Sequence, residues 1–204
     1  MIALHWTGCD LSMSDHEEIN DPKETLEIQN VVASTVVSQE LNLESVAMDL
    51  EGADFDRDKF PGVVYRVQDP HAVALIFRSG KIVCTGAGSV PAVHEALEIV
   101  FETLSDLGID VSENPNTEVQ NIVTSGDLGE RLNLNAIAIG LGLEDVEYEP
   151  EQFPGLVYRL DEPDVVALLF GTGKTVIVGG KVPADAEAAT EVIVSKLTDL
   201  GLFR

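Results

Sequence analysis

The chain is 204 residues long and carries 36 acidic against 12 basic side chains, a formal net charge of −24. Its hydrophobic fraction of 45 % is that of a packed globular protein and too high for a disordered acidic chain; the length suffices for one large or two small domains. No apolar run approaches the roughly 18–20 residues that a membrane helix needs.

Residues 1–26 differ from the rest of the chain. Met1–Asp10 holds Trp6 and little charge, and from Met13 the chain turns polar and acidic. The stretch lacks the basic start and long apolar core of a signal peptide. It is expected to be a disordered acidic N-terminal tail, with Met13 as an alternative start of translation.

The remainder is a duplication. Asn30 in EIQNVVAS aligns with Asn121 in EVQNIVTS at an offset of 91, and FPGVVYR at Phe60–Arg66 aligns with FPGLVYR at Phe153–Arg159 at an offset of 93. The second offset persists through Ala74–Phe77 with Ala167–Phe170, Ser79–Lys81 with Thr172–Lys174, and Asp106–Gly108 with Asp199–Gly201. Between Phe60–Gly88 and Phe153–Lys181, 15 of 29 positions are identical. A repeat this long, in two copies, is no solenoid. It implies a pseudo-twofold molecule of repeats 27–112 and 113–204, which either bury a face against each other or share one sheet.

Each unit opens with a strand (Ile28–Val36; Val119–Ser125) and a short helix (Asn42–Leu50; Asn133–Ile139). An acidic loop then ends in Phe-Pro-Gly, where proline and glycine break regular structure and set a bend. Three β-branched runs come next, Val63–Val67, Val73–Phe77 and Ile82–Thr85 in the first unit, separated by Asp-Pro and Ser-Gly turn signals. A longer helix closes the unit. In Ala92–Leu107 the residues Val93, Ala96, Leu97, Val100 and Leu104 recur at helical spacing with acids on the opposite face. Gly108 and Gly201 stand where helix stops belong. The expected class is α+β with an antiparallel sheet.

The acids avoid the strands. Phe60–Gly88 holds three bases and one acid, and Phe153–Lys181 holds three of each, so these 58 residues carry +2 and the rest of the chain −26. Buried sheets are poor in charge in any protein. That accounts for the missing acids but not for the recurrence, in register, of Arg66 with Arg159 and Lys81 with Lys174. A strongly acidic balance by itself argues against a nucleic-acid binder, whose footprint is ordinarily basic. On a normal core it fits a protein of molar salt, where the Debye length shrinks to about 3 Å and self-repulsion is screened. A halophilic source is expected.

Catalytic motifs are absent. Gly171–Thr175 (GTGKT) resembles the end of a phosphate-binding loop, but the glycine required five residues before Gly173 is Leu168, and the matching Arg78–Ile82 lacks the Ser/Thr. A hairpin turn is expected there. Cys9 and Cys84 make no disulfide framework and fit a reducing cytoplasm; His5, His16, His71 and His94 lack zinc-ligand spacing. With no polar constellation repeated in both copies, neither enzyme activity, cofactor nor metal is expected.

The phenylalanines carry more. Four of the seven fall at matched places: Phe60 and Phe153 before Pro-Gly, Phe77 and Phe170 at the end of an apolar strand. A lone Phe is ordinarily core, yet the spacing of 17 within each copy puts two aromatic residues at one end of each half. Leu75 shares a strand face with Phe77, Val83 with Thr85, and Asn30 with Val32.

Taken in order, IQNVVAS, FPGVVYR, ALIFRSGK and IVCTGA, then VQNIVTS, YEPEQFPGLVYR and ALLFGTGK, resemble the core of the TATA-box-binding protein family in its archaeal form, from about Ile28 to Phe203. The resemblance implies a saddle: one curved antiparallel sheet shared by both repeats, helices above and DNA beneath. It makes Phe60 with Phe77, and Phe153 with Phe170, the wedges that enter base steps at the two ends of a TATA element; wedging and kinking from the minor groove are the known behaviour of this family. It puts Asn30 and Asn121 at the centre, bonded to minor-groove acceptors, within an apolar underside of Val32, Leu75, Val83, Val123, Leu168 and Val176. Thr85 matches the family's groove-contacting threonine, whereas the partner position is Val178. Arg66, Ser79, Lys81, Arg159, Lys174 and Lys181 are the implied phosphate contacts; Gly88 stands where the family often has lysine. The loop Glu147–Gln152 resembles the surface that docks transcription factor B, with Glu149, Glu151 and Gln152 as the contacts.

The implied function is that of a general transcription initiation factor in the archaeal cytoplasm, at the nucleoid and away from membranes. It binds and bends promoter TATA elements, then recruits transcription factor B and, through it, RNA polymerase. The exposed apolar underside also favours a homodimer of the free protein. A competing reading is a duplicated acidic sensor or protein-interaction module that keeps the saddle without binding DNA. Retention of all four phenylalanines and both asparagines disfavours it.

Overall fold

A ten-residue run of alternating burial, Glu27–Val36, forms the first strand β1, and the same alternation recurs across the molecule. The computed structural model describes residues 21–111, 115–142 and 144–203. After β1 come α1 (Leu43–Asp49), β2 (Gly62–Val67), β3 (Ala72–Phe77), β4 (Lys81–Ala87) and α2 (Val90–Asp106). The second repeat supplies β5 (Glu118–Asp127), α3 (Leu134–Leu141), β6 (Val146–Glu147), β7 (Leu156–Leu160), β8 (Val165–Leu169), β9 (Lys174–Gly180) and α4 (Pro183–Asp199).

The repeats share one sheet rather than stacking two. Its order is β2-β3-β4-β1-β5-β9-β8-β7-β6, antiparallel throughout. The first strands of the two repeats meet at the centre. There Asn30 faces Val123 and Val32 faces Asn121, a reciprocal pairing that puts the pseudo-twofold axis between them. The α+β saddle class stands.

One side of each strand is covered by helices, because the sequence alternates and the helices carry matching apolar stripes. Val31, Ala33, Ile76, Ile82 and Cys84 are fully buried on that side, under Val93, Ala96, Leu97, Val100 and Leu104 of α2, the residues whose spacing predicts the stripe. In the second repeat Ala186, Ala189, Ile193 and Leu197 of α4 cover Ala167, Leu169 and Ile177. Burying one such Leu or Ile contributes about 1.5–3 kcal/mol. Asn42 and Asn133 cap α1 and α3, each accepting a backbone N–H, from Ser45 and Ala136 at 3.1 and 3.2 Å. Gly108 and Gly201 adopt φ of 77° and 67° and end the long helices. The N–H groups of Ile109 and Leu202 then reach back to the carbonyls of Leu104 and Leu197 at 3.0 and 2.9 Å, the Schellman arrangement.

Three differences from the sequence reading have physical causes. The expected tail extends too far: residues 1–20 lie outside the described residues, but Pro22–Thr25 form a 3₁₀ turn. Asp21 caps it by accepting the Lys23 N–H at 2.9 Å. The Thr25 hydroxyl then exchanges bonds with the backbone of Asp127, accepting its N–H at 2.7 Å and donating to its carbonyl at 3.0 Å. Leu26 packs on the core of the second repeat. Conversely Ile122 of β5 belongs to the first core, so each repeat lends a residue from its leading segment to the other. The acidic loops, expected to be irregular, each add a short edge pairing: β6 on β7, and an Asp54–Val64 bridge on β2. The last strand of each repeat runs further than expected, to Ala87 and Gly180, because a glycine bulge in each lets the pairing resume. Gly171–Thr175 is a hairpin turn, with the Gly173 N–H donating to the Phe170 carbonyl at 3.0 Å.

Candidate nucleic-acid interface

Among the described residues, no helix covers the other side of the sheet. Strand alternation sends to it Asn30, Val32 and Ser34 of β1 and Asn121, Val123 and Ser125 of β5, all only half-buried. Cross-strand register then builds apolar rows outward: Ser34 beside Val83, Leu75 and Val64, and Ser125 beside Val176, Leu168 and Val157. A second row on each side joins Thr85, Val73 and Arg66, matched by Val178, Val166 and Arg159. All eight apolar or hydroxyl residues expected on this face (Val32, Leu75, Val83, Thr85, Val123, Leu168, Val176 and Val178) lie on it. Val64, Val73, Val157, Val166, Ser34 and Ser125 belong to it as well. Period-two counting from Arg66, Leu75 and Val32 would have found them.

Each end of this face carries a ring pair. Phe60 and Phe77 lie with centroids 5.7 Å apart at 58°; Phe153 and Phe170 lie 5.9 Å apart at 68°. Edge-on packing of this kind is worth about 0.5–1.5 kcal/mol beyond area burial. The glycine of Phe-Pro-Gly makes room for it. A Cβ on Gly62 would stand 3.0 Å from Phe60 and 3.2 Å from Phe77, and one on Gly155 would stand 2.7 Å from Phe153 and 3.0 Å from Phe170. Phe153 is 37 % exposed, a high value for a phenylalanine and far from a core position.

At the centre, the two asparagines are oriented by the backbone. The β1–β4 register shifts between Val31 and Ala33, and the β5–β9 register between Ile122 and Val123. These bulges fall at Gly86 and Gly179, whose φ of 93° and 109° only glycine holds without strain. The N–H groups of the two glycines therefore leave the ladder, and each donates to an asparagine Oδ1 at 2.7 Å. With the oxygens held inward, the amide NH₂ groups are the outward ends, that of Asn30 also donating to the Thr85 hydroxyl at 3.1 Å.

The charges on the flanks of the open face are basic. On β2–β4 and β7–β9 its charged members are Arg66, Lys81, Arg159 and Lys174, all exposed. Among the described residues Arg66, Lys81, Lys174 and Lys181 make no ion pair, whereas Arg159 pairs with Glu147 at 3.0 Å. Ser79 and Thr172 sit in the β3–β4 and β8–β9 hairpin turns and accept the backbone N–H of Lys81 and Lys174 at 3.4 Å. Lys181 comes directly after β9, and Asp185 accepts its backbone N–H at 2.7 Å. Beyond the edge, Glu149, Glu151 and Gln152 are exposed. Their loop is tied by Gln152 and Phe153 N–H groups donating to the Glu149 carbonyl at 2.9 and 3.0 Å, and the Gln152 amide donates to the Glu149 carboxylate. Glu149 thus sets the turn that presents Phe153.

Such a face offers outward donors at its centre, methyl groups around them, rings at both ends and cations at the flanks. It suits a long, acceptor-bearing, anionic partner with an apolar floor. Among the described residues no group of three or more His, Cys, Asp or Glu could hold a metal ion, and no helix is long and apolar enough to cross a membrane.

Comparisons with known proteins agree with this geometry. A family model described as transcription factor TFIID, or TATA-binding protein (TBP), matches residues 25–107 and 116–200. Among curated relatives, TATA-box-binding protein 1 of Haloferax volcanii is 71 % identical over 91 % of this chain and 98 % of its own length. TATA-box-binding protein E of Halobacterium salinarum is 69 % identical over 91 % of this chain and all of its own. Both organisms are halophilic archaea, in keeping with the acid load. The solved structure of Methanococcus jannaschii TBP superimposes with a TM-score of 0.77 at 48 % identity, covering 86 % of this chain and 99 % of that one. With both repeats matched and the shared sheet in place, the chain belongs to the TATA-binding protein family, whose members are transcription factors and not enzymes.

Proposed function

We propose that the open face binds the minor groove of promoter TATA DNA, and that the protein acts as a general transcription initiation factor. The observation that carries this reading is the pair of matched phenylalanine couples at opposite ends of an acid-poor face with asparagine donors at its centre. A·T pairs present only acceptors in the minor groove, whereas G·C adds a donor. Outward amide NH₂ groups match the first and clash with the second. The rings are the wedges: inserted between base steps they cost a few kcal/mol of unstacking per step. Burial of ring and sheet area at about 25 cal/mol per Å² offsets this cost, which flexible TA steps also reduce. Arg66, Ser79, Lys81, Arg159, Lys174 and Lys181 are the phosphate contacts.

The exposed Glu149, Glu151 and Gln152 form the docking edge for transcription factor B, which brings in RNA polymerase. Charge reversal at Glu151 is expected to weaken the ternary complex on TATA DNA at least tenfold while leaving binary DNA binding within about threefold, because its exposed side chain lies beyond the contacting sheet and, unlike Glu149, takes no part in the turn that presents Phe153. Replacing Phe60, Phe77, Phe153 and Phe170 together by alanine tests the main reading, with a TATA duplex and a G·C-substituted control as probes in molar KCl. Loss of TATA-selective binding by a folded variant is the expected result. Undiminished binding sinks the wedge assignment, and absence of selective binding by the unmodified protein favours a saddle that serves protein interactions alone.

A further inference from the structure

The two halves of the open face differ at the place where they ought to match. Asn30 and Asn121 are held alike, each through its Oδ1 by a bulge glycine N–H at 2.7 Å. In the first repeat the Asn30 amide also donates to the Thr85 hydroxyl at 3.1 Å. The same hydroxyl donates to the Asn30 Oδ1 at 3.3 Å, an oxygen that already accepts the Gly86 N–H at 2.7 Å; an acceptor placed beneath the sheet takes over that proton, so this half has donors on two atoms to offer, one N–H and one O–H. In the second repeat the matching residue is Val178, which lies in register with Val123 and Val166. Asn121 there donates to no side chain among the described residues and is flanked by methyl groups.

The flanking charges lean the same way. Arg66 has no ion pair among the described residues, while its counterpart Arg159 is bound to Glu147 at 3.0 Å. The residue matching Glu147 is Asp54, one carbon shorter, and among the described residues it forms no such pair. Lys181, which has only Gly88 as counterpart, is offset by Asp185, whose carboxylate caps the adjacent backbone at 2.7 and 3.0 Å.

We infer that Thr85 is a specificity-determining residue that makes the first repeat the discriminating half of the saddle, while Val178 makes the second repeat tolerant. The inference rests on the minor-groove reading proposed for the open face. It has a simple consequence. On a palindromic TATA duplex the protein binds either way round; when one half loses its acceptors, the protein turns so that the damaged half lies under the second repeat.

The test uses a palindromic TATA duplex whose central adenines carry 3-deazaadenine, which has a C–H in place of the N3 acceptor, in neither, one or both halves. For the unmodified protein the first altered half is expected to lower affinity about threefold, which includes the twofold lost with one orientation, and the second a further tenfold or so. Val178→Thr is expected to give two equal steps of about tenfold, and Thr85→Val two equal small steps. Both changes are nearly isosteric on a half-exposed face, and a thermal melt confirms folding; either variant alone decides the matter. Equal steps in the unmodified protein, with TATA selectivity intact, overturn the inference. Failure to prefer the unaltered TATA duplex over a G·C control overturns the minor-groove reading instead.

Discussion

Gly62 and Gly155 serve the same motif but tolerate change differently. A methyl on Gly155 meets the far edges of the Phe153 and Phe170 rings at 2.7 and 3.0 Å, whereas one on Gly62 also meets the backbone carbonyl of Ile76 at 2.9 Å. Rings at an exposed end give way; a β3 carbonyl does not. Gly155→Ala is therefore expected to cost less than about 1 kcal/mol of stability while weakening DNA binding at least tenfold through the displaced ring pair. Gly62→Ala should cost about 1–3 kcal/mol in addition to its effect on binding. Thermal melts and TATA titrations of the two variants separate the effects. Cys84 is a residue of the opposite kind, fully buried, and burial pushes its thiol up to about 11. Its neutral form is the one the fold accepts, so its contribution is intact below the pKa of the unfolded thiol and is lost as pH rises from about 9 towards 11. Cys84→Val, which puts an inert β-branched residue where the second repeat has Ile177, should flatten that loss in urea melts across the same pH range. At this scale the sequence is legible where residues recur. The four phenylalanines and two asparagines stand out by their matched spacing. The glycines that seat them read only as turn formers, because the need for an absent Cβ arises from ring contacts across the sheet.

Elements are legible in proportion to their periodicity. The stripe of α2 and the alternation of the two ten-residue strands, β1 and β5, carry their own signal, and the helix stops at Gly108 and Gly201 come from local backbone chemistry. The two-residue strand β6 and the Asp54 bridge have no period to read. Pro22–Thr25 reads as tail because its partners, Asp127 and the second core, are tertiary and belong to the other repeat. The capping of the long helices shows how the copies diverge without losing the helix. In α2, Ser89 accepts the Ala92 N–H at 3.2 Å. The matching residue before α4 is Val182, which has no acceptor, and Asp185 instead reaches back to the N–H groups of Lys181 and Val182. Ser89→Ala and Asp185→Ala should each cost about 1 kcal/mol in chemical denaturation. Thr25→Val should cost a further 1–2 kcal/mol or so, since it leaves the half-buried Asp127 backbone without partners. Lys23, by contrast, holds Glu191 at 2.6 Å on the exposed rim, and Lys23→Ala should fall within error in molar salt, where such pairs are screened.

The whole molecule carries a contradiction that salt resolves: a protein of charge −24 whose face is built for a polyanion. Among the described residues the ion pairs occupy Lys23, Arg57, Lys59, Arg78 and Arg159, all at the surface. Most carboxylates are left to repel one another and any phosphate that approaches. The open face offsets this only locally, through Arg66, Lys81, Lys174 and Lys181. Ordinary DNA-binding proteins weaken with salt because each phosphate neutralised releases counterions, with a logarithmic slope of about −0.9 per contact. Four free cations would give a slope of roughly −3.6 by that rule. Opposing it, the acid repulsion fades as the Debye length falls from about 10 Å at 0.1 M to about 3 Å at 1 M. The apolar contribution of the sheet and rings is not screened at all. Affinity for a TATA duplex is therefore expected to hold level or rise as KCl increases from 0.1 M to above 1 M, and the melting temperature to rise with it. Reversing several acids of the helix-bearing side to lysine, away from the sheet, should restore strong binding at low salt and with it the ordinary negative slope. A steep fall in affinity for the unmodified protein across the same range would mean that phosphate contacts, not the apolar face, dominate binding, and that the acid load has no part in tuning it.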